Sequence, residues 1–184
     1  MRNILIGILV LLLAGAAFVV LAPRFLDYHA APVAGAIEGE ALVLEGQALS
    51  TPDPSPEQTY RFADNALELT VLANQPAPTP AERGVRILLT PERVAHINDR
   101  AVVIEIHYRA PATGAASSLA TSLQGIGPSE WSVQPISASE GVARYELPAQ
   151  SAVDGIGLRA LSETPDQAGA VSVTRISISA APQP

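Results

Sequence analysis

Val102-Val103-Ile104-Glu105-Ile106-His107-Tyr108-Arg109 is the stretch from which the architecture of this chain can be read. Val102, Ile104, Ile106 and Tyr108 fall on one side of an extended chain. Val103, Glu105, His107 and Arg109 fall on the other. Side chains alternate across a strand with a period of two, so this run predicts a strand with one buried and one solvated face. The same alternation recurs upstream. Leu67, Leu69 and Val71 oppose Glu68 and Thr70, and Val85, Ile87 and Leu89 oppose Arg86.

Further candidate strands are Ala41–Ala48, Gln58–Phe62, Trp131–Pro135, Val142–Leu147, Gly155–Leu161 and Val171–Ser179. The last changes phase, from Val171 and Val173 to Ile176 and Ile178, as a β-bulge near Thr174 and Arg175 would make it do. Proline-rich breaks separate the runs at Thr51–Pro56, Gln75–Pro80 and Pro111–Gly114. About nine short strands with turn signals between them predict a mainly β chain, an antiparallel β-sandwich or jelly roll. One helical turn is expected at Pro91–His96, with Thr90 as its cap and Pro91 in the first position. Tyr108 shares a face with Ile106, and Trp131 with Val133, so both aromatics read as core.

The composition agrees. Of 184 residues 48% are hydrophobic but only 4% aromatic, which calls for an aliphatic core, and 16 prolines with 13 glycines disfavour a helical bundle. The net charge is −7, and all eleven basic residues are arginine. An acidic chain without lysine is a poor partner for nucleic acid, whose binding relies on neutralising phosphates. No cysteine is present, which excludes disulfides, thiolate metal sites and cysteine nucleophiles. Abundant Ala, Arg, Pro and Gly without lysine is the usage of a GC-rich bacterial genome.

Ile4 to Ala22 is a run of 19 residues without a charge. At about 1.5 Å per residue a helix of that length spans roughly 29 Å, the thickness of a bilayer core. It exceeds the apolar segment of a signal peptide, and Pro23 follows its one near cleavage signal. The expected organisation is a cytoplasmic stub at 1–3, a transmembrane helix at 4–22, a tether at 23–39, a β-sandwich at 40–180 and a tail at 181–184. The short side stays in the cytoplasm, which leaves the large domain in the periplasm and the helix in the bacterial inner membrane. Phe25 and Tyr28 suit the outer interface.

The order Leu88-Leu89-Thr90, a helical turn, Asp99-Arg100, then the strand from Val102 resembles part of a galactose-binding-like jelly roll, a carbohydrate-binding-module-like sandwich. Tyr145-Glu146-Leu147-Pro148, Gly155-Ile156-Gly157-Leu158-Arg159 and the run from Val171 to Ile178 are similar in the same way. The likeness covers the second half of the chain and consists of hydrophobic positions. It implies a carbohydrate-binding or accessory role by analogy of fold. It matches no ligand-binding residue of that fold to this sequence.

Motifs of catalysis are few. Without lysine there is no P-loop and no Schiff base, and Gly155-Ile156-Gly157 lacks the third glycine of a dinucleotide loop. Glu105 and His107 share a strand face, but two ligands fall short of the three or four that a metal site takes. Carboxylates at Glu105, Glu130, Glu140, Glu146 and Asp154 show no pairing that would mark a glycosidase. No cofactor, metal or enzymatic reaction is expected. His107, Arg109, Arg159 and Gln124 would supply a polar ligand site if their strands adjoin. The leading reading is therefore a membrane-anchored extracytoplasmic binding or assembly module for envelope carbohydrate. The alternatives are a structural subunit docked on another envelope protein and, third, an enzyme.

Overall fold

The computed structural model describes residues 31–56, 58–71, 77–137, 139–162 and 168–182. Among these the chain is a sandwich of two antiparallel sheets. The expected membrane segment, 4–22, lies outside the described residues, within which no helix is long and apolar enough to cross a membrane.

The strands are β1 Ala36–Glu38, β2 Ala41–Glu45, β3 Thr59–Ala63, β4 Ala66–Val71, β5 Val85–Leu88, β6 Val102–Arg109, β7 Ser118–Gly125, β8 Ser132–Pro135, β9 Glu140–Leu147, β10 Val153–Leu161 and β11 Gly169–Ala180. A 3₁₀ turn, Gly46–Leu49, follows β2, and the one α-helix among the described residues, α1, spans Pro91–Ile97. It has Pro91 in its first turn, as the sequence predicts, and Thr90 stands extended at the N-cap position, although its side chain makes no capping hydrogen bond.

β11 organises the larger sheet. Its first half, Gly169–Val173, pairs with β4, and Arg175–Ile178 pairs with β2. Its other edge carries β6, which in turn carries β9. The register with β6 shifts between Val173 and Arg175, so Thr174 is the bulge that the change of phase predicts. That one extra residue lets Val171, Val173, Ile176 and Ile178 all turn inward, and all are at most 1% exposed. The smaller sheet runs β5-β10-β7-β8. Between the sheets lie Leu42, Leu44, Leu67, Leu69, Ile104, Ile106 and Tyr145 from the larger, and Val85, Ile87, Leu119, Leu123, Ile156 and Leu158 from the smaller.

Two polar groups tie the sheets together inside this apolar core. The Tyr145 hydroxyl on β9 donates to the Leu119 carbonyl on β7 at 2.7 Å. Burial pushes its ionisation above the ordinary tyrosine range. The Gln58 amide accepts from the Ala160 N–H at 2.9 Å and donates to the Thr70 carbonyl. Each satisfies a group that would be costly to bury alone.

Four sequence expectations change. Residues 36–38, read as tether, form β1 against β2. Ala41–Ala48 is a strand only to Glu45 and then a 3₁₀ turn. Ser118–Gly125, not read as a strand at all, is a central one, buried along nearly its whole length. Trp131 precedes β8, and the face it shares with Val133 points away from the core, since Val133 pairs with Ala120 and is 43% exposed.

Candidate functional site

The four expected site residues divide between the two sheets. His107 and Arg109 stand on the outer face of the larger sheet. Gln124 on β7 and Arg159 on β10 stand on the outer face of the smaller one. The sandwich core separates the two pairs, so the four do not form one site.

His107 and Arg109 line an open groove of about 350 Å³, with Tyr108, Glu140, Gly141, Val142 and Thr174. Three local features shape it. The β11 bulge aims Thr174 at β6, where its hydroxyl donates to the His107 carbonyl at 3.2 Å. Gly141 faces Tyr108 across the strands, and a Cβ there would lie 2.7 Å from the phenolic oxygen, so only glycine lets the ring lie flat. That phenolic oxygen accepts the Ser137 N–H at 3.1 Å and fixes the neighbouring loop. Ser139, just before β9, has φ 119°, a region costly for a non-glycine residue, and such strain clusters at functional sites.

Most of the arginines among the described residues are paired, and Arg109, like Arg83 and Arg100, is not. Arg61 meets Glu68, Arg86 meets Asp53 and Asp154, Arg144 meets Glu105, Arg159 meets Glu82, and Arg175 meets Glu38 and Glu45. The Arg109 side chain makes no hydrogen bond or ion pair among the described residues, although Glu140 is its register partner. An exposed guanidinium with five free donors therefore stands at the lip of the groove beside an imidazole. Glu140 and Thr174 supply acceptors in the same place. Such a mixed set suits a ligand whose hydroxyls both donate and accept.

Sequence reasoning could find His107 and Arg109 from their place on a well-marked strand. It missed Glu140, Gly141 and Thr174, which reach the groove only through strand pairing. The other site residues are placed differently from the expectation of a solvated face. Arg159 and Gln124 are each 1% exposed. Arg159 forms a buried ion pair with Glu82. The Gln124 amide N–H donates to the Ser122 hydroxyl at 2.5 Å. Their burial comes from a chain segment, Thr79–Gly84, laid over the smaller sheet, a contact distant from both in sequence.

No group of three or more metal-ligating side chains occurs among the described residues. The carboxylates weighed for hydrolysis are spread out. Glu105, Glu140 and Glu146 are on the larger sheet, Asp154 faces Arg86 at the edge of the smaller, and Glu130 is in an exposed loop.

No family profile and no curated relative matches the sequence. Among solved structures the chain is similar to "BiXyn10A CBM1 APO", with 8% identity over 71% of this chain and 88% of that one, at a TM-score of 0.46. It is similar to "CBM29_1, A Family 29 Carbohydrate Binding Module from Piromyces equi", with 10% identity over 81% and 87% and a TM-score of 0.45. It is also similar to the insecticidal crystal protein Cry7Ca1 of Bacillus thuringiensis, with 9% identity over 83% of this chain and 24% of that one, at 0.43. Two of the three are carbohydrate-binding modules, the kind of sandwich that the second half of the sequence resembles. At these TM-scores no residue or ligand of theirs is carried to this chain.

Proposed function

We propose that this chain is a non-catalytic binding module, tethered to the bacterial inner membrane by residues 4–22, that holds envelope carbohydrate in its His107–Arg109 groove. The observation that carries the reading is the unpaired Arg109 beside His107, facing Glu140 and Thr174 across an open cleft. Donors and acceptors in one shallow polar cleft fit sugar hydroxyls. A net charge of −7 repels polyanions at long range, so neutral glycans suit the groove best.

Two measurements test this reading. Arg109→Gln should abolish retention on neutral envelope polysaccharide in affinity electrophoresis. It should leave stability within about 0.5 kcal/mol, because the side chain is exposed and unpaired. If the wild-type protein is retained by no envelope polysaccharide, and a membrane pull-down recovers one stoichiometric protein, the docking-subunit reading replaces it. For the tether, a reporter fused after Pro184 should be active only outside the cytoplasm, and the protein should stay in membranes after a carbonate wash. A mature N-terminus at residue 23 or beyond would remove the anchor.

A further inference from the structure

The outer face of the smaller sheet carries a second polar cluster, and it is covered. An antiparallel sheet face turned away from the core is ordinarily solvated. Here Ser122, Gln124 and Arg159 are 0–1% exposed. The cover is a strap, Thr79–Gly84. The Ser129 N–H donates to the Pro80 carbonyl at 2.8 Å, and the Glu82 N–H donates to the Thr79 carbonyl at 3.0 Å. One Glu82 oxygen, Oε1, accepts from the Thr79 hydroxyl at 3.2 Å, and the other, Oε2, meets Arg159. The Arg83 carbonyl rests on Gly157, where a Cβ would come within 2.8 Å of it. At the edge the Trp131 ring packs on Gly84, and its indole N–H is buried with no partner among the described residues.

A fixed structural cover would not need these groups. The desolvation of a buried ion pair roughly cancels its attraction, and apolar residues of similar volume hold a segment as well or better. Buried polar side chains, and an unsatisfied buried donor most of all, are the informative exceptions. The Gln124 amide and the Ser122 hydroxyl converge on Gly157 beneath the strap, on the face where the Arg159 guanidinium meets Glu82. That donor set recognises a carboxylate together with neighbouring hydroxyls.

We propose that this face is a second binding site, for a uronate-type ligand, a hydroxyl-rich ring bearing a carboxylate, and that the Glu82 carboxylate of the strap occupies it in the resting chain. The strap acts as an intramolecular competitor, whose effective concentration an outside ligand has to exceed. The site lies on the opposite sheet from the His107–Arg109 groove and does not depend on it.

The chain holds a single tryptophan, so its indole N–H gives one NMR signal. The test titrates the full chain in nanodiscs with D-glucuronate, and with D-glucose as the uncharged control. In Glu82→Ala the indole signal should move saturably with glucuronate, at an affinity about tenfold or more above wild type, and glucose should leave it in place. Adding Arg159→Gln to Glu82→Ala should abolish the response. Retention of a neutral polysaccharide by the groove, read on the same Glu82→Ala protein, should be unchanged, so the two sites fail separately. If the alanine variant does not fold, the isosteric Glu82→Gln is titrated in its place. No glucuronate response in the folded variant, or one equal to that of wild type, overturns the proposal and makes the strap a fixed part of the fold.

Discussion

Ile104→Asp unfolds the domain, while Glu105→Ala, one residue along the same strand, leaves its stability within about 0.5 kcal/mol. Ile104 is fully buried, between Tyr145 on β9 and Ile178 on β11. A carboxylate there has no counter-charge within the aliphatic core. The effective cost of burying an ion is several kcal/mol after relaxation, and the loss of a buried isoleucine adds to it. Together these consume most of the roughly 5–15 kcal/mol that holds a domain folded. Glu105 points the other way and meets Arg144 at 3.0 Å, with the two side chains 41% and 53% exposed. Exposed pairs of this kind contribute about 0–1 kcal/mol. Thermal melts followed by circular dichroism check both. Equal tolerance of the two changes would mean that the strand faces the other way.

Deletion of Thr174 should be as damaging, although the residue is partly exposed and its side chain makes one hydrogen bond to a carbonyl. Its contribution is to count. With the bulge, Val171 and Val173 on one side and Ile176 and Ile178 on the other all face the core. Without it the period of two runs unbroken through β11, and one of those two pairs turns to solvent. Exposing two such side chains costs about 3–6 kcal/mol, at roughly 1.5–3 kcal/mol each. β11 is also the strand on which β2, β4 and β6 all pair, so the slip spreads to three neighbours. Thr174→Ala keeps the count and should cost little beyond its hydrogen bond, about 1 kcal/mol. A deletion variant that melts like Thr174→Ala would show that the register is carried elsewhere.

Both results rest on features written into the spacing of aliphatic residues. The strand Val102–Arg109, its inward face and the bulge near Thr174 all follow from that spacing, because a strand with one buried face imprints its period of two locally. The helix at Pro91 is equally local, a capping residue before a proline in the first turn. The same alternation marks Arg109 and His107 as outward on β6, and they are the two expected site residues that reach the groove.

The strand Ser118–Gly125 is not legible in this way, for a definite reason. Ser118, Thr121, Ser122 and Gln124 break its apolar pattern, and Thr121 faces inward, where its hydroxyl donates to the Gly157 carbonyl at 3.0 Å. Ser122 and Gln124 face outward and are buried by the strap at Thr79–Gly84. Burial imposed by a segment so far along the chain leaves no periodic trace in the strand itself. Arg159 is misread by the same route. Its alternation with Leu158 and Ala160 places it outward, and outward on an uncovered sheet means solvated. The strap makes it 1% exposed and pairs it with Glu82.

Local spacing thus encodes the antiparallel strands with their aliphatic core, the inward and outward faces of β6, and the bulge in β11. Which outward faces meet water is a tertiary matter. Chain packing leaves Arg109 free beside Glu140 and Thr174, and it lays Thr79–Gly84 over Arg159 and Gln124. Alternation says which side of a strand a residue takes. What lies against that side depends on loops whose packing is set by contacts across the whole chain.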